Sequence, residues 1–187
     1  MNAKELPSLE YLNECFELSE ESPSGLVWKV RPRHHFKTWR GFCQTNARFK
    51  GKAAGYLKEK DHTIYYYVKV SGIDHPAHRV VYCLHNQTVI APDIQIDHID
   101  VSGLNNKPSN LRQATCSQNK QNNPGYRGSA SGIKGVYWHR HSSMWHGLIR
   151  HNKILYCLGY SHSKEVIMTL VKELREKLNR EFTNHGI

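Results

Sequence analysis

Ile94-Gln95-Ile96-Asp97-His98-Ile99-Asp100 sets an acid and a histidine side by side at the end of a short β-forming run. Downstream, Asp100–Asn110 (Asp-Val-Ser-Gly-Leu-Asn-Asn-Lys-Pro-Ser-Asn) is loop-forming, and Leu111–Ala114 returns as a strand. Thr115-Cys116-Ser117-Gln118 has the form of a capping box, so a helix is expected to start there. Asn122-Asn123-Pro124-Gly125 stops it. A strand, a loop, a strand and a helix in that order would bring Asp97, His98, Asn110 and Asn119 together. Taken singly, the residues say less. An Asp-His pair is equally a turn acid beside a hydrogen-bonded ring, and Asn is common in loops and caps.

Upstream, Ser8–Leu18 carries apolar residues at helical spacing, and Leu26–Arg31 reads as a short strand. Residues 32–53 show no period and read as a basic loop. Tyr56 and Leu57 open a further strand, Ile64–Val70 is rich in β-formers, and Ala77–His85 places Val80, Val81 and Leu84 on one side of a short helix. Residues 121–132 form the clearest linker. Beyond it, Val136–Arg140, Trp145–Arg150 and Ile154–Tyr160 read as three strands joined by tight polar turns. Ser163 then caps a helix of some twenty residues, about 30 Å long. Its apolar stripe is Val166, Ile167, Leu170, Val171, Leu174, Leu178 and Phe182. The expected fold class is α+β, with domains at 1–123 and 133–187 joined by a linker over 124–132.

The 187 residues carry 26 Lys and Arg against 16 acids, a formal charge of +10. That excess points to a polyanion, nucleic acid first. The charge is uneven. Residues 1–24 hold one Lys and six Glu (−5), and residues 25–60 hold ten basic residues and one Glu (+9). Residues 61–125 balance five against five, and residues 126–187 hold ten basic residues and four Glu (+6). Arg31, Arg33 and Arg40, interleaved with Trp28, His34, His35, Phe36 and Trp39, suit a phosphate-binding surface. The competing reading of such a run is a merely solvated face. Uninterrupted apolar runs reach five residues, short of the about 20 of a membrane span or the roughly 7 of a secretory signal. Five scattered cysteines without a C-x-x-C pair argue against a disulfide framework and a cysteine-built zinc site, and fit a reducing cytosol.

The segment holding Asp97, His98, Asn110 and Asn119 closely resembles the HNH nuclease family with the ββα-metal fold, in its His-Asn-Asn variety. The matching text is Ile96–Asp100, Asn105-Asn106, Ser109–Thr115, Gln118-Asn119 and Asn122, with Ala77-His78-Arg79 upstream. The resemblance implies that Asp97 and Asn119 hold one divalent cation, Mg²⁺ or Mn²⁺, and that His98 takes the proton of the attacking water. It also implies that Asn110 holds the His98 ring through its amide oxygen. Many relatives have His where Asn119 stands, and four cysteines around a structural zinc. No such cysteines are placed here, so no structural zinc is expected. Asn122 is a rival for the second ligand, and His78 could approach the same site.

Ser131–Trp138, Trp145–Arg150, Leu158-Gly159-Tyr160 and the final helix resemble the plant ethylene-response-factor type of DNA-binding domain. That likeness implies a three-stranded sheet laid in the DNA major groove and backed by the helix. By strand alternation Trp145, Gly147 and Ile149 face the helix, leaving His146 and Arg150 toward DNA. Lys134, Tyr137, His139 and Arg140 are further candidates; the alternative is a small packing module without DNA contact.

Together the two likenesses imply a homing-type, site-directed endonuclease. It would hydrolyse double-stranded DNA to 5′-phosphate and 3′-hydroxyl ends as a monomer or homodimer, away from membranes and commonly of phage or intron origin. A restriction-type nuclease, a catalytically inactive DNA-binding regulator and an RNA-binding protein are the alternatives.

Overall fold

In a computed structural model, the described residues are 4–60, 63–122 and 130–185. The chain divides into two compact units, Met1–Ala114 and Thr115–Ile187. Both mix helices with antiparallel sheets, giving an α+β protein. Of the expected linker over 124–132, positions 124–129 lie outside the described residues. The packing division falls ahead of the capping box, so the helix after Ala114 groups with the second unit.

In the first unit, α1 (Leu9–Cys15) begins at Ser8, whose hydroxyl accepts from the Tyr11 N–H at 3.3 Å. It ends before Leu18, short of the length its apolar spacing suggests. Phe16–Leu18 is instead strand β1, paired antiparallel with β2 (Leu26–Trp28). Tertiary pairing wins because it buries Phe16 against Trp28, with ring centroids 4.5 Å apart. β2 stops at Trp28, ahead of the expected Arg31.

The basic segment read as a loop contains a 3₁₀ turn, Arg33–His35, and an eleven-residue helix, α2 (Trp39–Phe49). None of the residues of α2 is buried, although Trp39, Phe42 and Cys43 keep helical spacing. Local bonds hold it. Thr38 Oγ1 accepts from the Gly41 N–H at 3.0 Å, and Asn46 brackets the Arg31 backbone through both ends of its amide.

Strands β3 (Tyr56–Lys60), β4 (Thr63–Val70) and β5 (Ile73–Pro76) form a meander, and α3 (Ala77–Asn86) follows at once. Ala77, Val80, Val81 and Leu84 bury one face of α3 among Leu12, Phe16, Leu26 and Val68. Each fully buried Val or Leu side chain of this kind stabilises by about 1.5–3 kcal/mol. β6 (Gln95–His98) and β7 (Leu111–Ala114) form a two-stranded ribbon whose Ile96 and Leu111 join the same core.

In the second unit, α4 (Cys116–Asn122) starts with the capping box realised in both directions. The Thr115 N–H donates to Gln118 Oε1 at 2.8 Å, and the Gln118 N–H donates to Thr115 Oγ1 at 3.2 Å. β8 (Val136–His139), β9 (Met144–His151) and β10 (Ile154–Ser161) form a sheet in the order β10-β9-β8. Asn152 and Lys153, both at positive φ, make the two-residue turn that joins β9 to β10.

α5 (Lys164–Asn179) is capped by Ser163 and packs Ile167 and Val171 against Val136 and Ile149. Gly147 lets the helix close on the sheet. A Cβ there would stand 2.8 Å from Val171 Cγ2. The expected stripe is rotated: Val166 and Leu170 are exposed, and Arg175 is buried in their place.

Candidate active site

The β6–β7 register sets Asp97 opposite Arg112 and His98 opposite Leu111. Asp97 and His98 are both buried, at 5% and 6% exposure. As neighbours on a strand they leave it on opposite faces. Arg112 brings Nε and Nη2 each to 2.9 Å from Asp97 Oδ2, a charge-assisted pair between directly opposed residues.

His98 ends β6 and turns into a pocket of rings. The His78 ring lies edge-on at 4.9 Å between centroids, and Tyr65 lies 6.1 Å away. Nε2 of His98 is 3.0 Å from Asn106 Oδ1. Burial pushes the ring below the ordinary imidazole range, and the Asn106 bond only partly opposes this. Burial holds His78 further down still, and its buried Nδ1 has no hydrogen-bond partner among the described residues. Its approach to His98 is as the sequence suggested.

Asn110 does not hold His98. Its Oδ1 accepts from the Asp100 N–H at 3.1 Å, and its Nδ2 donates to Asp100 Oδ1 at 2.9 Å and the Asn105 carbonyl at 2.8 Å. Asn110 ends the 3₁₀ turn Pro108–Asn110, where its backbone carbonyl already meets the Ile99 N–H. The side chain is thereby aimed across the mouth of the loop, away from the ring. Asn106, 3% exposed, takes the role expected of Asn110. The doublet Asn105-Asn106 belonged to the quoted family match, but nothing in a doublet says which amide faces inward.

Two further residues position the site: Arg79, quoted within the Ala77-His78-Arg79 match but given no role there, and Gly103, which no motif marked. Arg79, 3% exposed, donates from Nη2 to the Ala91 carbonyl at 3.0 Å and from Nη1 to the Ile94 carbonyl. It thereby pins the chain entering β6 to α3. Gly103 lets the Asp100–Asn110 loop press on β4, because a Cβ there would stand 2.6 Å from the Ile64 carbonyl oxygen.

Asn119 lies on α4, with its N–H bonded to the Thr115 carbonyl at 3.0 Å, and Asn122 is buried one turn later. Both belong to the second unit.

On the sheet of that unit, Gly147 and Ile149 are buried toward α5 and Trp145 packs on the same cluster, as alternation predicted. His146 leaves the opposite face. Its ring stacks on Tyr160 (5.3 Å, 5° between planes) and meets those of Tyr137 and His139. Arg140, Arg150 and Tyr137 are exposed. Lys134 is different. Its Nζ donates to the carbonyls of Lys120 (3.3 Å) and Gln121 (3.0 Å) in the last turn of α4, and burial beside Arg175 lowers its pKa to about 8. Its ammonium serves the helix end.

In the first unit the Arg31 guanidinium lies over the Trp28 and Phe36 rings at 4.6 and 4.9 Å. Arg33 is exposed but donates to the Phe36 carbonyl, and Arg40 is exposed on α2. Among the described residues no helix is long and apolar enough to cross a membrane.

The chain is 46% identical over 59 residues to a protein of Acanthamoeba polyphaga mimivirus named as an uncharacterized HNH endonuclease, covering 32% of this chain and 29% of that protein. It is also 39% identical over 54 residues to Protein 3.8 of Escherichia phage T7, covering 29% of this chain and 45% of that protein. The chain thus spans less than half the length of either relative. No family model matches, and no solved structure does.

Proposed function

We propose that this protein is a divalent-cation-dependent DNA endonuclease of the HNH kind, acting as a homing-type, site-directed nuclease. The observation that carries the reading is the buried, neutral His98 ring fixed by Asn106 next to the buried carboxylate of Asp97. The partial similarity to a protein named an HNH endonuclease supports it.

An amide oxygen only accepts, so the proton of neutral His98 is assigned to Nε2, and Nδ1 carries the lone pair. Nδ1 is then the atom that takes a proton from the attacking water. The new bond joins the water oxygen to phosphorus, the bond from phosphorus to the 3′ oxygen breaks, and solvent protonates that oxygen. The products are a 5′-phosphate and a 3′-hydroxyl.

The donor chemistry fits a hard cation: Asp97 offers a buried carboxylate. Asp97 would hold the ion, Mg²⁺ or Mn²⁺. Such a cation supplies positive charge to the phosphoryl and leaving oxygens. Arg112 pairs with Asp97 across the ribbon and holds its carboxylate in place. The sheet face around His146, Arg140 and Arg150 would read DNA, with Tyr137 and His139 beside it and Arg31, Arg33 and Arg40 gripping phosphates.

The same Asp97–Arg112 pair favours a second reading, a DNA binder whose carboxylate is already neutralised. Plasmid incubated with the protein in Mg²⁺, with and without EDTA, decides. Nicked or linear product that EDTA suppresses supports the nuclease, and binding without any nick leaves the regulator.

A further inference from the structure

A second cluster of metal-ligating side chains lies in the first unit, built by α1 and the 3₁₀ turn that opens the basic segment. Glu14 Oε2 is 3.2 Å from His34 Nε2 and 2.6 Å from His35 Nε2. The three ligand atoms all fall within 4.8 Å of one another. His34 and His35 are consecutive, yet the turn sets their rings nearly perpendicular (86°, centroids 4.7 Å apart), so both Nε2 atoms converge on one carboxylate.

The two separations from Glu14 are close to those of a tetrahedral site. Ligand bonds of about 2.0–2.1 Å place neighbouring donor atoms about 3.3 Å apart. His34 already stands at that separation from Glu14, and His35 reaches it by a shift of under about 1 Å.

The surroundings orient the rings as a metal site requires. His35 is held on one flank by Tyr11, stacked at 3.9 Å and 14°, and its far nitrogen, Nδ1, faces Cys15 Sγ at 3.7 Å. A metal on Nε2 leaves the Nδ1 proton directed at that sulfur, an outer contact that fixes the ring. The His35 side chain is 1% exposed, whereas His34 (66%) and Glu14 (39%) open to solvent and leave room for a water ligand.

We propose that Glu14, His34 and His35 form a binding site for a borderline divalent transition-metal ion, Zn²⁺ first, distinct from the nuclease centre. Two imidazoles and one carboxylate are the donor set such an ion prefers over Mg²⁺. The site would act as a clamp. α1 is anchored in the core through Leu12 and Cys15, whereas α2, which follows the turn, buries no residue of its own. Metal binding would fix Arg31, Arg33 and Arg40 against the body of the first unit.

The test is calorimetric titration of the chelator-treated full chain with Zn²⁺, in excess Mg²⁺, against Glu14→Gln and His34→Ala. His34 is exposed, so its variant is expected to fold, and circular dichroism checks this. The expected result is one tight equivalent in the wild type, weakened by about tenfold or more in both variants. Co²⁺ in place of Zn²⁺ should give a visible ligand-field band without thiolate charge transfer. No tight equivalent in the wild type, or one that survives unchanged in folded His34→Ala, overturns the proposal. Neither result depends on nuclease activity.

Discussion

Asn106 and His98 are joined in a defined sense. Asn106 Nδ2 donates to the Ser24 carbonyl at 3.0 Å, which fixes the amide so that Oδ1 faces His98 Nε2, also at 3.0 Å. A flipped amide would set its N–H₂ against the ring and two oxygens against each other. The loop residue therefore selects the His98 tautomer, and Ser24, distant in sequence, selects the loop residue. Asn106→Leu should lower nicking at saturating DNA by roughly 10–100-fold with little change in KM, since Asn106 acts through His98. It should also cost about 1–3 kcal/mol in stability, because the Ser24 carbonyl loses its donor. Steady-state nicking rates and urea denaturation read the two effects. A larger kcat loss in Asn110→Ala than in Asn106→Leu would return the ring to Asn110.

Asp97 faces Arg112 across the ribbon, so replacing it tests charge as well as ligation. Asp97→Asn keeps the volume and should eliminate Mg²⁺-dependent nicking while leaving DNA affinity close to wild type. One carboxylate is a small part of a surface with a net charge of +10. Nicking and gel-shift assays on the same preparation measure both. Normal cleavage by Asp97→Asn would remove it from the metal site.

Replacing the proposed base is a separate measurement. His98→Ala should depress cleavage by about 10²–10⁴-fold and leave Mn²⁺ affinity largely unchanged. Titration of Mn²⁺ followed by electron paramagnetic resonance decides. An affinity that collapses together with activity makes His98 a ligand.

The parts legible in the sequence were those where local chemistry and tertiary packing agree. The Leu111–Ala114 strand and the β8–β10 sheet combine a local signal with an inward apolar face, and the Thr115–Gln118 box is specified by its own reciprocal bonds. α2 was missed although Trp39, Phe42 and Cys43 keep helical spacing, because none of its residues reaches the core and its support is a cap and an asparagine bridge to Arg31. The end of α1 was misread because Phe16 gains more from Trp28 across the strands than from another helical turn. In the site, Asp97 and His98 were identifiable by adjacency, but the choice of Asn106 over Asn110 depends on where a loop folds back. The bond from Lys134 to the end of α4 was not legible, because a lysine beside a strand gives no sign that its ammonium faces a helix end.

Buried histidines make the first unit sensitive to acid. His75 is 1% exposed, and burial lowers its pKa from the ordinary value of 6.5. The facing charges divide, since Lys4 and Arg79 lower it further and Asp74 raises it. The unfolded chain therefore protonates first as pH falls. Stability is fully present above about pH 6.5 and is lost below it, by up to about 1.4 kcal/mol per pH unit for each such ring. His75→Phe should flatten the fall in Tm between about pH 7 and pH 5. An identical slope in wild type and variant would assign the acid sensitivity elsewhere.

Arg150 and His146 leave the face of β9 opposite α5, so they separate reading from gripping. Arg150 is exposed, whereas His146 is wedged against Tyr160, Tyr137 and His139. If the sheet lies on DNA, Arg150→Ala should weaken binding and reduce the slope of log K against log salt by about 1, as expected for one lost phosphate contact. A base-edge contact would instead leave the slope nearly unchanged and relax sequence preference at one position, at about 1–3 kcal/mol. His146→Ala should disturb the stacked rings and weaken binding through shape, with little change in slope. Fluorescence anisotropy at several salt concentrations, on a cleaved site and on a scrambled duplex, distinguishes these cases. If both variants bind both duplexes as the wild type does, this sheet is a packing module and the DNA contacts lie on the basic segment of the first unit.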